Sequence, residues 1–78
     1  MKHQGHSETT TSRAVAKTMG LIADLDHIVQ ILGEAIAAEE ELAGVSDHLQ
    51  TGYPMNARAL AARRDNLLDT IAALKAGL

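Results

Sequence analysis

Between Gly20 and Leu49 the apolar residues return every three or four positions, and the arc they sweep is too wide for a single partner. Leu21, Leu25, Ile28, Leu32, Ala35, Leu42 and Leu49 share one face of a long α-helix. Ile22, Val29 and Ile36 widen that face on one flank, and Ile31 widens it on the other. At about 100° per residue the arc from Leu21 to Ile36 spans roughly 180°, more than one neighbouring helix covers. A chain with such a helix must bring packing partners to it from more than one side.

The 78 residues contain one tyrosine and no Phe, Trp or Cys, so the core is aliphatic and padded with alanine. A single core of this size is marginal without a metal, disulfides or self-association. The absence of cysteine removes disulfides and thiolate metal sites, which leaves self-association. Seven Lys and Arg against ten Asp and Glu give a net charge of −3, a poor balance for generic binding to nucleic acid or anionic membranes. No apolar run approaches the ~18 residues of a membrane span, and the first residues lack a signal peptide's apolar core. A cytoplasmic protein without a cofactor is expected.

The polar stretch 1–12 (MKHQGHSETTTS) has nothing to bury and reads as a disordered tail, with a helical hairpin domain over 13–78. Thr11 or Ser12 can cap a helix that starts near Arg13, and Gly20 marks a kink or a fray point. Gly44, followed by Ser46 and Asp47, is a candidate break. Leu42, Val45 and Leu49 keep the spacing across it, so the first helix is expected to run to about Gln50. Thr51-Gly52-Tyr53-Pro54 then reads as a tight turn, with Gly52 just past the helix end. A second helix over about Pro54–Ala76 carries the stripe Ala57, Leu60, Arg64, Leu67, Ile71, Leu74 and Leu78. A short turn makes the two helices antiparallel neighbours.

Folding the chain about Gly52 sets Leu25 level with Leu78, Leu32 with Ile71, and Glu39 with Arg64. Glu39 and Arg64 are the charges at the centres of the two stripes, which predicts an interhelical salt bridge that specifies register more than stability. This register leaves the start of the first helix without a partner. It assigns Val15, Met19, Leu21, Ile22, Val29 and Ile36 to an outer interface. The fold expected is therefore all-α: an antiparallel helical hairpin with a long first helix, dimerised into a four-helix bundle.

Candidate chemistry is sparse. Met1-Lys2-His3 has the spacing of an amine, amide and imidazole nitrogen set for Cu(II) or Ni(II), which makes His3 the metal candidate. Asp24 and His27 share a helix face but read as a solvated pair, because the second helix offers no inward carboxylate. No set of convergent basic or nucleophilic residues points to an enzyme. Gly20–Gln50 holds seven carboxylates and no Lys or Arg, whereas the second helix carries Arg58, Arg63, Arg64 and Lys75, a division that favours pairing unlike helices. The expected function is a non-enzymatic protein–protein interaction or regulatory module, such as a small adaptor, chaperone-like protein or anti-activator. It would act as a homodimer and bind a further protein partner. The alternative is an RNA-binding regulator; the expected architecture is similar to Rop-type hairpin dimers. Arg13 and Lys17 would form a basic end, and Arg58 and Arg63 a second patch.

Overall fold

The computed structural model describes the backbone from Lys2 to Leu78 and side chains from Ser12 onward. It contains two helices, α1 (Lys2–Ala43) and α2 (Met55–Ala76), packed against each other, with no strand among the described residues. At 1.5 Å per residue α1 is about 63 Å long and α2 about 33 Å, so α1 projects far beyond its partner. The molecule measures 65 × 17 × 12 Å, and its radius of gyration is 18.7 Å. A compact chain of this length would have about 11–12 Å. The expected tail over 1–12 lies, up to Thr11, outside the described side chains.

Helix α1 passes through Gly20 without interruption, so the helix does not end there. It ends at Ala43 and does not run on to Gln50. Gly44 takes the left-handed conformation (φ +69°). Its N–H donates to the Glu41 carbonyl and the Val45 N–H to the Glu40 carbonyl, both at 3.2 Å. These are the two bonds of a Schellman motif, which satisfies carbonyls at a helix end and turns the chain away. The apolar spacing across Gly44 is therefore not helical: Leu42 is 85% exposed and Leu49 83%.

Residues 44–54 form the connector. Asp47 Oδ1 accepts from the Leu49 N–H at 2.9 Å, and the Asp47 carbonyl accepts from Gln50 at 3.0 Å. A second turn follows, closed by the Tyr53 N–H on the Gln50 carbonyl at 3.3 Å. Gly52 (φ +94°) sits at its third residue, where a type II turn demands positive φ. Gly52 thus shapes a loop turn, not a helix end as its spacing suggested. Pro54 caps α2 with extended backbone (φ −63°, ψ 131°), and its carbonyl accepts the first helical bond, from Arg58. Gly77 stops α2, its N–H shared between the Ala73 and Leu74 carbonyls.

The longer connector moves the register. Gly33, Ile36 and Ala37 of α1 line one cleft with Ala61, Arg64 and Asp65 of α2. Glu39 lies beside Asn56, Ala59, Leu60 and Arg63. The fold about Gly52 had set Glu39 level with Arg64. The hairpin is instead centred between Ala43 and Met55, which slides the pairing by about five residues, roughly one and a half turns.

Only α2 shows the phase expected from its sequence. Ala57 and Ile71 are buried, Leu60, Arg64, Leu67 and Leu74 are half-buried, and Leu78 at the open end is exposed. On α1 the buried line is Ile22, Leu32 and Ile36, with Leu25, Val29 and Ala35 half-buried. The seam thus runs along what the sequence suggested was a flank.

Candidate interaction surface

Counting along α1 separates two stripes. Ile22, Val29 and Ile36 are seven apart, with Leu25 and Leu32 between them, and this set faces α2. Val15 and Thr18 continue the phase towards the N-terminus; Thr18 is half-buried, and its hydroxyl donates to the Ala14 carbonyl at 3.0 Å. The second set is Leu21, Ile28, Ala35 and Leu42, again seven apart, with Asp24, Ile31 and Ala38 between. It lies roughly 100° round the helix from the seam. Leu21 is 47% exposed, Ile28 38% and Ile31 49%. The 180° arc is therefore two apolar stripes side by side, of which α2 covers one.

The residues expected at an outer interface divide accordingly. Ile22 and Ile36 are 8% and 6% exposed and belong to the hairpin core; Val29 is half-buried beside them. Val15, Met19 and Leu21 are exposed. Sequence reasoning omitted Ile28, Ile31 and Leu42 from the outer surface, although their seven-residue spacing with Leu21 carried the signal.

The expected Glu39–Arg64 salt bridge is not formed within the chain, because the register slides them past each other. The ion pair among the described residues joins Arg64 Nε to Asp65 Oδ1 at 3.5 Å. Arg64 Nε is shielded from water and donates no hydrogen bond. Arg64 lines a cleft of about 370 Å³ together with Gly33, Ala37 and Ala61, whose small size leaves the space open.

Glu40, His48 and Tyr53 close the loop end of that cleft. The Tyr53 hydroxyl donates to Glu40 Oε2 at 2.8 Å and ties the connector to the last turn of α1. Arg58 stacks over the Tyr53 ring at 5.5 Å and donates to the His48 carbonyl at 3.1 Å. The His48 ring meets Tyr53 edge-on, centroids 6.4 Å apart. The hydrogen bond to Glu40 is the main cause that raises the Tyr53 phenol above its ordinary pKa of 10.0, followed by partial desolvation and the Glu40 charge; Arg58 and Arg64 oppose it. These polar groups are occupied with one another, in an arrangement that holds the connector.

His3 lies outside the described side chains. Asp24 and His27 are both exposed. Among the described residues no three His, Asp or Glu side chains converge as metal ligands, and no helix is long and apolar enough to cross a membrane. Comparison of the chain with protein-family models, curated proteins and solved structures found no match.

Proposed function

We propose that this chain is a non-enzymatic interaction or regulatory module that works as a homo-oligomer, with the two-helix hairpin as its building block. The observation that carries the reading is the second stripe of α1. Leu21, Ile28, Ile31 and Leu42 stand exposed along one side of a hairpin whose core, among the described residues, holds five buried side chains, Ile22, Leu32, Ile36, Ala57 and Ile71. A core that thin gains stability from association, and an uncovered apolar stripe marks the surface where association occurs. A bundle of paired hairpins covers it and leaves the polar faces of both helices for a further protein partner.

Sedimentation velocity from nanomolar to high micromolar concentration tests this. A dimer or larger species that dissociates on dilution is expected, with a melting temperature that rises with concentration. A monomer with a concentration-independent melt removes the reading. Steeply salt-dependent retention on a polyanion column would favour RNA instead.

A further inference from the structure

We propose that the Leu21–Leu42 stripe of α1 is covered by the same stripe of a second copy, laid antiparallel across it, with both α2 helices on the outside. The inference rests on the self-association proposed above and specifies its geometry.

The first support is a match of surfaces. Within α2 the exposed large apolar residues are Met55, in the first turn, and Leu68. Helix α2 therefore has no second stripe with which to cover α1 of another copy, whereas α1 itself has one. This reverses the preference for unlike helices drawn from charge alone.

The second support is the fit of the layers. With Ile28 opposite Ile31 of the second copy, the seven-residue repeat sets Leu21 opposite Ala38 and Asp24 opposite Ala35. The isoleucines meet at the centre, and on either side of them Leu21 and Asp24 each face an alanine.

The third support is charge. In this register Leu42 of one copy comes opposite Lys17 of the other, which puts the exposed Lys17 beside Glu41, and His27 beside Glu34. In-register parallel pairing would instead put Asp24 against Asp24 inside the seam, and Glu34 beside Glu39 of the other copy. Asp24 thus acts as the polar seam residue that rejects the wrong orientation.

The chain has no cysteine, so single cysteines report the geometry cleanly. Leu21→Cys and Ala38→Cys variants are prepared separately, mixed, and oxidised at a concentration where the wild type is dimeric. A mixed disulfide should accumulate in the mixture and not in either variant alone, because antiparallel pairing holds each site roughly 25 Å from its own copy. Ready self-crosslinking of each variant would mean parallel helices. No crosslink in a protein that still sediments as a dimer would put the interface on another face; both outcomes overturn this geometry and leave self-association standing. A monomeric wild type overturns both. Independently, Lys17→Glu should raise the dimer dissociation constant roughly tenfold, and Lys17→Glu with Glu41→Lys should recover it. An unchanged constant in Lys17→Glu would overturn the charge register.

Discussion

Tyr53 is the single aromatic side chain, and it does for the connector what a larger core would do elsewhere. Its hydroxyl holds Glu40, its face takes Arg58, and its edge meets His48. Since the chain has no Trp and one Tyr, absorbance near 295 nm reads this phenol alone. The native titration midpoint should lie above 10.0 and return towards it in Glu40→Gln or in urea. The unfolded chain releases this proton first. Stability from the bond is therefore complete below pH ~10 and is lost as pH rises through the folded midpoint. Gly44 offers a second residue-scale test. At φ +69° a Cβ is strained even in open space, so Gly44→Ala should lower unfolding stability by about 1–2 kcal/mol.

At the scale of the element, α1 differs from an ordinary amphipathic helix in having two apolar stripes, one packed and one exposed, and substitutions separate them. Leu32→Ala and Ile71→Ala remove buried side chains and should each cost about 2–5 kcal/mol in denaturant unfolding. Ala59→Ser, on the exposed face of α2, should cost under ~0.5 kcal/mol. Ile31→Ala should change the dimer dissociation constant far more than it changes unfolding of the dilute chain. Glu39 and Arg64 belong to different levels of the hairpin, so a double-mutant cycle between them should be additive within about 0.5 kcal/mol. A larger coupling would show that the two meet, within the chain or across an interface.

At the scale of the molecule, length sets the problem. Helix α2 spans about half of α1. The hairpin therefore leaves Val15 and Met19 beyond its open end and the Leu21–Leu42 stripe along its side. An object 65 Å long and 12 Å thick has little interior, and its cooperativity depends on what it packs against. Dilution should accordingly weaken the fold: amide exchange in α1 should quicken below the dimer dissociation constant, while a self-sufficient hairpin would exchange at a fixed rate.

The helical periods of both segments were legible in the sequence, and so was the stripe of α2, because that helix has one apolar arc and one way to bury it. The width of the α1 arc was legible too, and α2 covers one side of it. Which half of the arc faces α2 was not, since Leu21-Ile28-Ala35 and Ile22-Val29-Ile36 are near-equivalent by spacing. The connector decided that. Gly44 closes a Schellman motif, Tyr53 ties residues 44–54 back to Glu40, and together they set where α2 begins and how far it slides. The Glu39–Arg64 pairing failed within the chain for the same reason. It assumed a turn at Gly52, whereas the chain reverses about a point midway between Ala43 and Met55, and antiparallel pairing slides by twice the displacement of the turn's centre. Local periodicity depends on neighbours three and four apart. Register depends on where the chain reverses, and only the tertiary contacts of the loop determine that.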